Sequence, residues 1–219
     1  MRQSSSKGLI TGLVLGVVGL ILLLGVGCIG LIVYLTPASG RIAASSRIGS
    51  ESEWQTFAPA NGGFSVLMPG LPDNQSQSMN GVFVSRYEVL HAGSGSMFSV
   101  TFLDLNPNAL RPNSLEVLTN ARRDSLADKS KGRVTAETPI TLGGVAGREF
   151  QIFAPDAGLL IARVYLVKIG GGHRLYELVA AGPSIVPGQS VAACFFDSFR
   201  LDATASPPNL PPDPVPGGP

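Results

Sequence analysis

Two histidines and two cysteines are the residue types best suited to metal or nucleophilic chemistry in this 219-residue chain: His91, His173, Cys28 and Cys194. A zinc site needs three or four such ligands at recurring spacings. Neither histidine stands in a His-x-His, His-Glu-x-x-His or paired-Cys neighbourhood, so no metal ligand is assigned and both read as hairpin-edge or ordinary sheet positions. Cys194, in Ala192-Ala193-Cys194-Phe195-Phe196, has no histidine close in sequence and reads as a small core residue rather than a reactive thiol. Cys28 lies inside an apolar run, in a different phase from Cys194, so no disulfide joins them.

The remaining motifs fail on their own chemistry. His91-Ala92-Gly93-Ser94-Gly95-Ser96 is not a Gly-x-Ser-x-Gly elbow, and Gly or Ser between strands is loop chemistry. Gly143-Gly144-Val145-Ala146-Gly147 lacks the Lys and hydroxyl of a phosphate loop and reads as a turn. Gly25-Val26-Gly27-Cys28-Ile29-Gly30 matches the dinucleotide pattern but has no βαβ unit around it. Arg163, Lys168 and Arg174 read as a solvated stripe, and Arg122-Arg123-Asp124 with Asp128-Lys129 as the wet face of a helix. No catalytic, cofactor-binding or metal residue is therefore assigned, and no cofactor is expected. If the chain is an enzyme, Asp73, Asp104, Arg148 and Glu149 are candidates for a dispersed site. A formal charge of +1, from 16 Lys+Arg against 15 Asp+Glu, supplies no field for nucleic acid.

The elements that would position such residues begin with an apolar segment. Leu9 to Leu35 contains no charge, and about 20 residues suffice to cross a bilayer. A secretory leader has an apolar stretch of only about 7 to 15 residues, so an uncleaved signal-anchor fits better than a cleaved one, with cutting after Gly40 as the alternative. Residues 1–8 are expected in the cytoplasm, 9–35 in the membrane as a single pass, and the soluble domain on the extracytoplasmic side. Lys7 lies close to the span, although Arg2 and Lys7 before it are nearly balanced by Arg41 and Arg47 after it. Gly8, Gly12 and Gly16 recur every four residues on one helix face, where they would let two spans pack closely as a homodimer.

Residues 36–53 are rich in Ser, Ala and Gly without periodicity, which is the composition of a flexible linker. From residue 202 the chain turns to a Pro-rich tail containing the minimal PxxP Pro208-Asn209-Leu210-Pro211, a composition that favours disorder. Between them, 54–201 is the soluble domain. Period-two alternation predicts strands at Phe64 to Met68, Val82 to Leu90, Met97 to Leu103, Arg148 to Phe153, Leu160 to Ile169 and Leu175 to Ala180, with Trp54 to Phe57 set off before the first by a turn. Turn residues at Asn61-Gly62-Gly63, Asn80-Gly81 and Gly170-Gly171-Gly172 make neighbours hairpins and the sheet largely antiparallel.

One helix is predicted from the Asn113 cap to about Ser130, stopping at Gly132, with Leu115, Leu118, Ala121 and Ser125 inward. A second opens at Pro187 and sets Val191, Phe195 and Phe199 on one face. The fold class is α+β, with helices on one or both faces of the sheet.

Trp54-x-x-Phe57, Gly63-Phe64-Ser65-Val66-Leu67-Met68-Pro69-Gly70-x-Pro72, Gly147-Arg148-Glu149 and Phe195-Phe196-Asp197-Ser198-Phe199-Arg200 resemble bacterial uncharacterised, membrane-anchored envelope proteins with a Mog1/PsbP-like domain. The resemblance covers Trp54 to Leu201 and implies a Mog1/PsbP-like sandwich. Members of that fold act as adaptors, binding a small GTPase in one branch and a photosystem's lumenal face in another, and no catalytic residue carries over. The expected function is a membrane-tethered binding or scaffold module for an unknown envelope protein, with lipid as the partner of the N-terminal helix. Alternatives are the dispersed-site enzyme and an accessory subunit acting through its transmembrane helix.

Overall fold

The computed structural model describes residues 54–79, 82–105 and 114–202. The apolar segment 9–35 with Gly8, Gly12 and Gly16, the linker 36–53, the Asn80-Gly81 turn, the Asn113 cap and the tail from 203 lie outside the described residues. No described helix is long and apolar enough to cross a membrane.

The period-two stretches, and the Trp54 to Phe57 segment set off before them, form strands. They are β1 (Trp54–Phe57), β2 (Phe64–Pro69), β5 (Val82–His91), β6 (Ser96–Leu105), β8 (Val145–Ala154), β9 (Gly158–Ile169) and β10 (Gly172–Gly182). Four further strands are β3 (Asp73–Asn74), β4 (Gln77–Met79), β7 (Arg133–Leu142) and β11 (Arg200–Leu201). An eight-stranded sheet runs β3-β5-β6-β10-β9-β8-β7, with β4 also on β5, and a three-stranded sheet runs β1-β2-β11. Every pairing among them is antiparallel. Strand β7 escaped the sequence reading because it is an edge, mostly exposed and interrupted by Pro139, so no apolar alternation marks it.

The β7–β8 connection is shorter than the glycine run suggested. Only Gly143 and Gly144 turn, both with positive φ, as a two-residue hairpin requires. Gly147 instead lies within β8, opposite Tyr165, where a Cβ would come within 2.5 Å of the tyrosine ring.

Helix α1 (Ser114–Lys129) and helix α2 (Ser190–Ser198) cover opposite faces of the large sheet. One face buries Phe98, Phe102, Tyr165, Tyr176 and Leu178 beneath the small sheet and Phe195, Phe196 and Phe199. The other buries Phe150, Ile152, Val164, Leu175 and Val179 with Leu118 and Leu126 of α1. Phe199 is buried as expected, but it caps α2 in an extended conformation rather than continuing the helix. Pro187 precedes α2 in a turn instead of opening it.

Helix α1 ends in a two-bond cap: Gly132 N–H donates to the Ala127 carbonyl at 2.8 Å and Lys131 N–H to Asp128 at 3.2 Å. The left-handed residue is Lys131, with φ 48°, not the glycine predicted to stop the helix. Gly132 is required for space, since a Cβ there would lie 2.7 Å from Ile152 and 2.8 Å from the Phe153 carbonyl oxygen.

Candidate functional site

The groups able to carry charge chemistry are disposed by strand alternation. On β10, Arg174, Tyr176 and Leu178 share the aromatic face, while Leu175, Glu177 and Val179 share the face under α1. Glu177 is thus a carboxylate on an apolar phase, and it is buried. Arg122 descends from α1 to meet it, its Nη2 donating to Oε1 at 2.6 Å while Nε contacts Oε2. A buried carboxylate without such a partner would cost several kcal/mol.

Arg122 therefore corrects the expectation of a wet helix face: α1 is rotated so that Leu118, Thr119, Arg122, Ser125 and Leu126 face inward. Ala121 and Leu115 are only half-buried. The demand comes from the sheet, which α1 meets with a charge that no helical periodicity could announce.

In register with Glu177, Thr101 on β6 leads to Arg86 on β5. Arg86 and Glu88, two residues apart on the same face, are both buried and paired with each other. Further along, Glu137 on β7 accepts from Arg148 at 2.5 Å and from Arg123 at 2.8 Å. With Asp124 accepting from Arg123 at 2.8 Å, the face under α1 carries three charge groups in which arginines and carboxylates are equal in number.

The aromatic face carries two more. Arg174, only 1% exposed, forks onto Asp104 at 2.5 and 2.8 Å and donates to the carbonyls of Asn61 and Gly62 at 2.9 and 2.8 Å. Tyr176 Oη donates to the same Gly62 carbonyl at 2.8 Å, so the pair clamps the β1–β2 turn to the large sheet. Burial works against the Arg174 charge, and Asp104 outweighs it. Arg163 binds Glu149 at 2.8 Å and Asp197 of α2 at 3.4 Å, with its guanidinium 4.7 Å above the Phe196 ring. Arg163 and Arg174 are therefore fasteners and not the solvated stripe the sequence suggested.

The other named residues stand apart. His91 is buried at the end of β5, its Nδ1 2.8 Å from Ser94 Oγ and its ring 6.4 Å from Trp54. His173 lies at the opposite end of the sheet, beside Lys168 and Leu105. Burial, with Asp197 nearby, pushes the Cys194 thiol up, which keeps it protonated at neutral pH. Arg148 and Glu149 point to opposite faces, Asp104 sits at the β1–β2 turn, and Asp73 is exposed on β3, so the four do not converge. No three of His, Cys, Asp or Glu among the described residues gather as a metal group.

Burial raises the phenols of Tyr87, Tyr165 and Tyr176. Sequence reading missed Arg86, Glu88, Arg122 and Glu177. The available signal was phase, since Glu177 shares that of Leu175 and Val179, and Arg86 and Glu88 share that of Val84 and Leu90.

Apolar side chains, meanwhile, are left outside. Among the described residues, the large exposed ones are Leu71, Phe83, Leu90, Val117, Val134, Phe153 and Val186. Leu71, Leu90, Val134, Phe153 and Val186 lie at one end of the sheet, where β5, β8 and β10 finish and β6, β7 and β9 begin. A small apolar crevice of about 20 Å³ opens at the same end, between Leu126 of α1 and Ala157, Leu159 and Leu160.

No protein-family model matches the chain, and no curated protein matches it. Among solved structures, the chain is similar to the solution structure of cyanobacterial PsbP (CyanoP) from Synechocystis sp. PCC 6803. That match has 12% identity and a TM-score of 0.45, and covers 74% of this chain and 98% of that one. It is also similar to a crystal structure of a protein from Bacteroides thetaiotaomicron VPI-5482, at 11% identity and a TM-score of 0.34, covering 68% of this chain and 48% of that one. These are likenesses of chain path alone, and no role passes from them to this chain.

Proposed function

We propose that the chain is a membrane-tethered binding or scaffold module, held by segment 9–35, whose domain contacts another protein of the cell envelope or a small ligand. The observation that supports this reading is how charge is spent. Arg122, Arg163, Arg174, Glu149, Glu177 and Asp104 join strand to strand, helix to sheet or turn to sheet, so their charges are already answered within the fold. Catalytic groups need to converge on a reacting atom, whereas a binding module needs surface, and large apolar side chains are gathered outside at one end.

The test measures complementation together with melting temperature for Ala variants of His91, His173, Asp104, Glu149 and Cys194. Function should fall only in step with stability. Any variant that keeps its melting temperature yet loses all function would put an active site around that residue. Exchanging segment 9–35 for an unrelated span separates the accessory-subunit reading, which alone expects loss of function from that exchange.

A further inference from the structure

From the geometry we infer that the end of the domain bearing Leu71, Leu90, Val134, Phe153 and Val186 lies against the lipid headgroup layer of the membrane that anchors the chain. The inference rests on the membrane-tethered reading and adds an orientation and a partner for a specific surface.

Three observations converge on that end. The first is where the chain enters. Trp54, the first residue of β1, pairs with Pro69 at the end of β2 and packs on Phe98 and His91, beside the β5–β6 hairpin. Asp202 leaves at the opposite end, donating its N–H to the Gly63 carbonyl at the base of β2. Residues 36–53 separate the apolar segment from Trp54. On the flexible-linker reading, 18 residues of that composition span roughly 23 Å, whereas β9, of 12 residues, runs roughly 40 Å. The end carrying Trp54 is therefore held nearer the bilayer than the far end.

The second is the apolar surface itself. Leu71 is 78% exposed, and because Asp73 pairs with Glu88, continuing the register sets Leu71 level with Leu90. Val186 follows Ile185 in a turn whose Ser184 hydroxyl donates to the Ser94 carbonyl of the β5–β6 hairpin, so it stands on the same rim. Phe153 and Val134 extend the rim to β8 and β7. Phe83 and Val117, the two other large exposed apolar side chains among the described residues, lie away from it.

The third is the company Phe153 keeps. The Arg133 guanidinium lies over its ring at 5.9 Å, an aromatic–cation pairing suited to the boundary between headgroups and acyl chains. Lys129, Lys131 and Arg133 are offset there by Asp128 and Asp156 to within a single positive charge. Contact thus depends on apolar insertion and not on attraction to anionic lipid, and it should be nearly insensitive to salt.

The test uses the full chain with Cys28→Ser and Cys194→Ser, reconstituted in phosphatidylcholine vesicles carrying nitroxide-headgroup lipid. A bimane label is placed at Leu71→Cys, Phe153→Cys or Val186→Cys, and for comparison at Phe83→Cys or Val117→Cys. Labels on the rim should be quenched severalfold more than those elsewhere, at low and high salt alike. Equal quenching in protein that floats with the vesicles overturns the orientation and leaves the tether standing. Protein that does not float overturns the tether and the orientation with it. Rim labels shielded from aqueous iodide but untouched by the nitroxide lipid, increasingly so at high protein-to-lipid ratio, would assign the rim to a second copy of the chain and overturn the lipid partner.

Discussion

The two faces of the large sheet are stabilised by different means, although one set of strands supplies both. On one face rings interlock: Phe64 packs on Phe102, Tyr176 and Phe199, and Phe98 on Phe195, at centroid separations of 5.3 to 5.9 Å. On the other, apolar contacts between α1 and the sheet are interrupted by the buried Arg122–Glu177 and Arg86–Glu88 pairs. Ring packing is stabilising by area and geometry, while a buried ion pair repays its own desolvation only when its geometry is good. The comparison teaches that one face can be lost by leaving a void and the other by leaving a charge.

The largest effects should come from making each kind of defect. Arg122→Ala strands the Glu177 carboxylate and should cost about 3 to 5 kcal/mol, while the paired change Arg122→Met with Glu177→Leu should recover nearly all of it. Urea unfolding of Arg122→Met, Glu177→Leu and the double variant gives the coupling directly, and additive losses would show that the pair is not a unit. Phe195→Ala or Phe199→Ala on the aromatic face should also cost about 3 to 5 kcal/mol, with no polar rescue available. A cost below about 1 kcal/mol would remove α2 from the core.

A smaller effect distinguishes geometry from charge at Arg174. Arg174→Lys keeps the charge but loses the fork on Asp104 and the reach to two turn carbonyls, and should cost about 1 to 3 kcal/mol. Hydrogen exchange should rise first at the β1–β2 turn, and unchanged protection there would rule out the clamp.

The aromatic face also carries a dependence on pH. Burial raises the Tyr87, Tyr165 and Tyr176 phenols above their ordinary value of 10.0. Their contribution to stability is complete below that value and is lost as pH rises through the folded-state values. Melting temperature should fall above about pH 10, and Tyr176→Phe should flatten that fall at some cost near neutrality, where it loses the bond to Gly62. The smallest expected change is a gain: Lys131→Gly relieves a left-handed lysine and should stabilise by about 0.5 to 1 kcal/mol, measurable as a rise in melting temperature.

Strands β5, β6, β9 and β10 were legible in the chain because apolar alternation along a segment is a local property. The Asn61-Gly62-Gly63 turn and the packing of Phe195 and Phe199 were legible for the same reason, and so was the antiparallel arrangement. The sheet edge β7 was not, because an exposed edge strand has no buried phase to display. The rotation of α1 and the roles of Arg86, Glu88, Arg122, Arg163, Arg174 and Glu177 were decided only in three dimensions. Glu137 bonds an arginine 14 residues before it and another 11 residues after it, and Arg122 reaches a carboxylate 55 residues away. Whether an arginine is solvated or buried depends on what the rest of the chain sets opposite it. By itself the sequence determined which segments could bury a face, while the tertiary structure decided which charges those faces would enclose, because the cost of burying a charge is set by its partner and not by its neighbours along the chain.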